Sequence, residues 1–151
     1  MENESLTRRL KAINALMSFS YGSLWVVGEN IWKEKLVAKG YDLNSNRREH
    51  PGVCIQGSFG TEQLHVAIPM LYGTSGRMNP AYTITNFYND PKDKRHVTYF
   101  GAYFGAVPIE ITKIGTRKDK NVVRRNMERP QLSESEVSEL RRFTRRYLSI
   151  A

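Results

Sequence analysis

The sequence predicts an α+β domain that is mainly β, built as a small barrel or a curled antiparallel sheet with an N-terminal and a C-terminal helix. Three observations lead to this prediction. Several short apolar runs are rich in β-branched and aromatic residues and are bounded by Gly, Pro and Asn, as strands are. The two ends of the chain instead carry apolar residues at helical spacing. At 151 residues the chain fits a single domain, 1–151, with helices over 5–17 and 133–149 and a barrel over 21–130.

The predicted N-terminal helix begins at a capping residue and has one apolar stripe. Ser5 can cap the first turn through its hydroxyl group. The apolar side chains that follow are three or four positions apart and so share one face: Leu6, Leu10, Ile13, Leu16 and Met17. We therefore expect this helix to cover one side of the core.

The next segments are mostly extended. Residues 23–27, Ser-Leu-Trp-Val-Val, predict a first strand that ends at Gly28. Residues 31–37 fit either a second extended piece or a short helix, and Trp32 within them suits the core better than a ligand site. Residues 40–46, rich in Asn, Asp and Ser, are typical of a polar loop.

Two short apolar runs, 53–55 and 64–68, are separated by a Gly-containing turn and predict a hairpin. In an antiparallel pair, the start of one strand and the end of the next lie at the same end of the sheet. Polar residues flank both of those points, and we expect them to meet there as a site: Arg47, Arg48 and His50 before the first strand, Thr74, Ser75 and Arg77 after the second.

The second half of the chain continues the alternation and then becomes helical. Residues 82–88, 96–104 and 107–114 predict three strands, with a turn at 89–91 and with Gly101 and Gly105 permitting bends or bulges. A Ser followed three positions later by Glu, at 133–136, has the form of a capping box at the start of a helix. The apolar residues of that helix share one face, and four arginines lie off it: Arg141, Arg142, Arg145 and Arg146.

The charge balance is the strongest indication of a partner. The chain has 23 Lys and Arg against 15 Asp and Glu, a formal net charge of +8. Such a charge favours nucleic acid, although an anionic membrane surface or an acidic protein would also fit. One basic stretch suits a flexible loop that follows a nucleic-acid backbone, or is simply a solvated loop: Lys113, Arg117, Lys118, Lys120, Arg124, Arg125 and Arg129.

Several classes of function and location are disfavoured by what the sequence contains. Cys54 is the single cysteine, so an internal disulfide is excluded, and it is expected to pack as a small hydrophobe. The three histidines have no metal-site spacing, and there is no phosphate-binding Walker loop, so no metal or other cofactor is expected. Without an apolar run of membrane-spanning length or a recognisable signal peptide, the protein is expected to be cytoplasmic and not bound to a membrane.

His50 is the residue on which a catalytic interpretation depends. A neutral imidazole can accept a proton near physiological pH, but a histidine before a proline is also an ordinary turn residue. Together with the arginines and hydroxyl groups beside it, His50 fits a phosphate-handling site, because arginine forks match phosphate oxygens and hydroxyl groups donate to them. His65 and His96 are expected to be structural.

The order of these segments resembles the MazF/PemK toxin family of bacterial type II toxin–antitoxin systems. The likeness lies in residues 22–27, 48–55, 66–69, 74–77 and 132–136, within a region of roughly 21–150. The resemblance implies an SH3-like barrel, a homodimer, an antitoxin partner and metal-independent cleavage of single-stranded RNA by attack of a ribose 2′-hydroxyl group.

The resemblance also implies roles for single residues. The family usually has an arginine immediately before the proline of the second strand, where this chain has His50. Arg48 could take over the charge of that arginine, and Thr74 or Ser75 matches the family's hydroxyl group. The expected catalytic residues are therefore His50, Arg48, Thr74 and Ser75, with RNA bound by Arg47, Arg77, Lys118, Lys120, Arg124 and Arg125. The alternative is a non-catalytic basic barrel that binds nucleic acid or a partner protein.

Overall fold

The computed structural model of the chain describes residues 20–37, 49–55, 65–110 and 122–148. Within these ranges it contains seven strands and two helices. The strands are β1 (Leu24–Gly28), β2 (Leu36–Val37), β3 (Glu49–Cys54), β4 (His65–Thr74), β5 (Ala81–Thr85), β6 (Val97–Glu110) and β7 (Val123–Arg125), and the helices are α1 (Glu29–Lys35) and α2 (Glu134–Leu148). The predicted N-terminal helix over 5–17 and the polar loop over 40–46 lie outside the described residues.

The strands form one antiparallel sheet in the order β7-β1-β3-β4-β6. The far side of β6 is shared, since β5 pairs with its first half and β2 with its second half. This confirms a mainly β α+β fold with a C-terminal helix. Of the two predicted forms, an antiparallel sheet is observed and a closed barrel is not: within the described ranges β7 pairs with neither β2 nor β5, so the sheet stays open. With only three and two residues, β7 and β2 offer few backbone groups for closure.

The sheet is covered on both faces, because successive side chains of a strand point to opposite sides. One apolar cluster, which includes Trp25 and Val27, packs against Trp32 of α1, and we call this side the α1 face. A second cluster, which includes Leu24 and Val26, packs against Leu140 and Phe143 of α2 on the α2 face. All five residues of β1 are therefore buried, which explains their continuous apolar sequence.

Segment 31–37, for which helix and strand were both open, contains one of each. The helix α1 ends at Lys35 and the chain continues directly into β2. Trp32 is completely buried on the α1 face, and its indole Nε1 donates a hydrogen bond of 3.4 Å to the carbonyl oxygen of His50. Cys54 is a buried thiol of the apolar cluster on the same face, as expected.

The region between β4 and β6 departs from the predicted boundaries. The predicted strand over 82–88 ends at Thr85, because Asn86 and Asn89 adopt left-handed backbone angles (φ of 58° and 50°) that asparagine tolerates in turns. The side chain of Asn86 accepts a hydrogen bond of 2.8 Å from the amide of Asp90. The strand predicted over 96–104 and the described part of the strand predicted over 107–114 form one strand, β6, which is continuous through both glycines.

The predicted capping box is formed at the start of α2. The Ser133 hydroxyl group accepts the amide N–H of Glu136 at 3.3 Å, and the Glu136 carboxylate accepts the amide N–H of Ser133 at 3.1 Å. The same carboxylate is paired with the guanidinium group of Arg129. Burial alone would raise the pKa of Glu136, but the hydrogen bonds from Arg129 and Ser133 outweigh it and lower this pKa below its ordinary value.

This lowered pKa predicts that the Glu136 contribution to stability depends on pH. Because the folded-state pKa is depressed, the contribution is complete above the unfolded-state value of 4.5 and is lost as the pH falls through the folded-state value. We expect Glu136→Gln to be less stable than the wild type at neutral pH, with a difference that shrinks below about pH 4. Urea denaturation of both proteins across this range measures it. A difference that stays constant with pH would contradict the prediction.

Candidate functional site

The register of β3 against β4 determines which residues meet at the predicted site. Gly52 lies opposite Tyr72, Val53 opposite Leu71, and Cys54 opposite Met70. Continued by two residues, this register places His50 opposite Thr74. The start of β3 and the end of β4 therefore lie at the same end of the sheet, as the predicted hairpin requires.

His50 is buried in an aromatic environment on the α1 face. Its side chain is only 2% exposed, and its Nδ1 lies 3.3 Å from the hydroxyl oxygen of Tyr72. The Tyr72 ring in turn meets the edge of Trp32, with ring centroids 5.2 Å apart. In this conformation the imidazole offers almost no surface to an RNA strand. Catalysis by His50 therefore requires that the ring, or the side chains over it, move when RNA binds.

The loop after β4 is the accessible part of the site. The Thr74 side chain is half-buried, whereas Ser75, Gly76 and Arg77 are exposed. The Thr74 hydroxyl group accepts a hydrogen bond of 3.2 Å from the Gly76 amide, a local bond that shapes the turn. With the rest of the described chain, the Arg77 guanidinium group forms neither an ion pair nor a hydrogen bond. A hydroxyl group and a guanidinium group are thus available to a phosphate here.

Arg124 is held by a carboxylate of the neighbouring strand. Its guanidinium group makes a two-point ion pair with Glu49, the residue before His50, and the hydrogen bond to Glu49 raises the pKa of Arg124. The pair lies on the α2 side of the sheet, because Arg124 is opposite Val26 in the register. For Arg124 to bind phosphate, it would have to give up this ion pair.

Arg125 points to the other side and is held by an aromatic ring and a carbonyl group. Its guanidinium carbon lies 5.1 Å from the centre of the Trp25 ring. Its Nε and Nη2 donate hydrogen bonds of 3.0 Å and 2.8 Å to the carbonyl oxygen of Pro130. Burial lowers the pKa of this guanidinium group. Both arginines of β7 therefore have structural contacts in this conformation.

The remaining predicted residues lie outside the described ranges: Arg47, Arg48, Lys118 and Lys120. Among the residues that are described, no group of three or more His, Cys, Asp or Glu is placed to hold a metal ion. No described helix is both long and apolar enough to cross a membrane.

Sequence reasoning missed two residues that surround His50. Tyr72 supplies the hydroxyl group at its ring, and Trp32 supplies the indole that packs on Tyr72. Tyr72 could have been found, because residues 70, 72 and 74 share a face of an extended strand and the hairpin register puts His50 on that face. Trp32 lies on a helix that is distant in sequence, so no local pattern indicates its contact.

Comparison with known proteins gives no independent indication of a family. A scan against models of protein families found no match, and a search of curated proteins found no significant one. The site must therefore be interpreted from its own geometry and chemistry.

Proposed function

We propose that this protein is a metal-independent endoribonuclease of the MazF/PemK toxin type that cleaves single-stranded RNA at the end of the β3–β4 hairpin. The observation that supports this proposal is the hairpin register, which brings the His50 end of β3 to the exposed loop after Thr74. A potential proton-transfer group, two hydroxyl groups and a guanidinium group then lie at one end of the sheet. The formal charge of +8 favours a polyanionic substrate.

The reaction needs only groups that this end of the sheet can supply. The ribose 2′-oxygen attacks the adjacent phosphorus, and the bond from phosphorus to the 5′-oxygen breaks. The 2′-hydroxyl proton goes to a base, and the departing 5′-oxygen receives a proton from an acid, giving a 2′,3′-cyclic phosphate and a 5′-hydroxyl end. Arg77 and Arg48 are assigned to the negative charge that develops on the phosphorane oxygens, because guanidinium groups bind them in pairs of hydrogen bonds.

The hydroxyl groups and the imidazole have complementary parts in this proposal. Thr74 or Ser75 donates to the scissile phosphate and positions it. His50 either accepts the 2′-hydroxyl proton as the base or protonates the departing 5′-oxygen as the acid, once the bound strand has opened access to its ring, and water serves the other transfer. A catalytic group can be covered before the substrate binds, because catalytic hydrogen bonds often reach their final geometry only in the complex with substrate.

The family resemblance extends the proposal to partners and location. A cytoplasmic homodimer held inactive by a cognate antitoxin would fit this class of enzyme. Size-exclusion chromatography with light scattering measures the oligomeric state directly.

A second candidate is a basic domain that binds nucleic acid or a partner protein without cleaving it. The observation that favours it is the burial of the His50 ring together with the structural contacts of Arg124 and Arg125. Under this alternative, the basic charge and the sheet account for binding, and the hairpin end catalyses no reaction. Salt dependence does not separate the two, because both would lose affinity as salt rises.

The proposal is tested by incubating the purified protein with mixed-sequence single-stranded RNA in EDTA and analysing the fragment ends. We expect discrete fragments with cyclic phosphate and 5′-hydroxyl ends. Arg77→Ala should slow cleavage about 100-fold, as expected for loss of a charge-stabilising donor. Arg95→Ala is the matched control, since Arg95 is also exposed but lies in the turn before β6. Intact RNA with demonstrably folded protein, or equal effects of the two variants, would overturn the proposal.

A further inference from the structure

The solvent side of α2 carries a concentration of positive charge that the hairpin site does not use. Its four arginines are exposed and fall within an arc of about 140° around the helix axis. The buried residues Leu140, Phe143 and Thr144 occupy the opposite side. We call the exposed group the α2 arginine surface: Arg141, Arg142, Arg145 and Arg146.

These charges are not neutralised within the described part of the protein. None of the four guanidinium groups forms an ion pair or a hydrogen bond there, whereas Arg124 and Arg129 each hold a carboxylate. The spacing is also unfavourable to the helix itself, because the first and third arginines, and the second and fourth, are like charges four positions apart. Placement near the helix C-terminus offsets part of this repulsion. A bound polyanion would remove the rest.

Aromatic rings accompany the charges at both ends of this surface. The Arg141 guanidinium carbon lies 5.1 Å from the centre of the Tyr21 ring, and that of Arg146 lies 5.3 Å from the centre of the Tyr147 ring. Tyr147 is 42% exposed although its ring also packs on Phe143, whereas Tyr21 is partly buried. Guanidinium groups beside aromatic rings, one of them exposed, suit a single-stranded nucleic acid, which offers phosphates and unpaired bases together. An acidic peptide has no such use for the rings, and a membrane surface would need a broader apolar face.

We propose that the α2 arginine surface binds the phosphate backbone of single-stranded RNA as a second contact area, separate from the hairpin end. It rests on the proposed function in that RNA is the ligand, but it does not require cleavage. The two areas lie on different sides of the sheet, since Tyr72 belongs to the α1-face cluster and α2 packs on the other. The α2 surface therefore contributes affinity, and the hairpin end contributes the reaction.

The test compares two triple variants of equal charge. One carries Arg142→Gln, Arg145→Gln and Arg146→Gln. The control carries Lys92→Gln, Lys94→Gln and Arg95→Gln in the exposed turn before β6. Glutamine is a good helix former, so α2 should persist, which circular dichroism verifies. The probe is a fluorescent 2′-O-methyl RNA of about 20 nucleotides, long enough for a single-strand site and unable to react without a free 2′-hydroxyl group.

Binding is measured by fluorescence anisotropy over a series of salt concentrations. Each phosphate contact contributes a slope of about −0.7 for single strands, so losing three contacts should make the log–log slope less negative by about 2. If affinities converge at 1 M salt, binding at 0.1 M falls about 100-fold in the α2 variant. The control variant should keep the wild-type slope to within about 0.7, the contribution of one phosphate contact.

Different results separate this inference from the proposed function. If the wild type cleaves RNA and the α2 variant keeps the wild-type salt slope, the inference is overturned and the proposed nuclease activity stands. A changed slope in a protein that never cleaves RNA would support the inference and overturn the nuclease. Equal slope changes in both triple variants, or absence of binding by the wild type, would each overturn the α2 assignment.

Discussion

Replacing Gly73 with alanine is expected to lower the free energy of unfolding by about 3 kcal/mol, the upper part of the range for overpacking a core. A Cβ atom at this position would lie 2.5 Å from Cε1 of Phe100 and 2.9 Å from Cδ1 and Cζ of the same ring. Phe100 is completely buried among the aromatic residues of the α2 face. Because a buried ring cannot swing away as a flexible side chain can, either the ring or β4 has to shift.

Gly76, three residues further along, provides the matched control. A Cβ atom there would meet only the Thr74 side chain, at 3.7 Å and 3.9 Å, which is ordinary contact. We expect Gly76→Ala to change the free energy of unfolding by less than about 0.5 kcal/mol in urea denaturation. Phe100→Leu replaces the ring with a smaller side chain. In this background, Gly73→Ala should therefore lower the free energy of unfolding by less than it does in the wild type. Equal stability of the two glycine variants would show that the predicted steric conflict does not exist.

This steric constraint connects the core to the candidate site. Gly73 immediately precedes Thr74, and the pairing of β4 with β6 shifts its register between Leu71 and Gly73. The extra residues at this shift belong to β6, because β4 advances two residues, from Leu71 to Gly73, while β6 advances four, from Phe104 to Phe100. β4 itself continues to Thr74, so the packing of Phe100 against Gly73 fixes the place from which the loop with Ser75 and Arg77 leaves the sheet. An exposed loop on a rigid strand is a common setting for binding groups.

Much of this fold could be predicted because its signals are local. The apolar sequences of β1, β3 and β4 are each typical of a buried strand. The order of β3 and β4 along the chain suffices to predict the hairpin between them. The capping box at 133–136 gives the start of α2 almost to the residue. Such features depend on neighbours in sequence, so a single sequence contains them.

Other features could not be predicted correctly, because they depend on residues far apart in the chain. Whether a sheet closes depends on which edge strands meet, and nothing in the short β2 and β7 sequences shows that they stay apart. The charge of Arg124 and Arg125 favoured phosphate binding, but their observed contacts are with Glu49 and Trp25, on strands distant in sequence. The burial of His50 is likewise a property of the α1 face as a whole.

Replacing His50 with phenylalanine is expected to slow RNA cleavage by a factor of about 100 to 10,000, the usual contribution of a general acid or base. Phenylalanine keeps a planar ring among Trp32 and Tyr72 but cannot transfer a proton, so the protein should remain folded. Alanine is a poorer choice, because emptying a buried aromatic site adds a cavity cost that obscures the catalytic effect. Fragment formation in EDTA, followed with time, gives the rate.

Two companion variants decide whether the imidazole acts chemically or only packs. Tyr72→Phe removes the hydroxyl group near His50 Nδ1 but keeps the imidazole, so it should cost about 1 kcal/mol of stability and retain most of the cleavage rate. His96→Phe removes a partly exposed histidine whose Nδ1 lies 3.6 Å from the Asp93 carboxylate in the turn before β6, and cleavage should be unaffected. A folded His50→Phe protein that cleaves at the wild-type rate would refute the catalytic assignment. The half-buried Thr74 and the exposed Ser75 and Arg77 would then have to account for the reaction without an imidazole, because the burial of the ring already leaves them as the accessible part of the site.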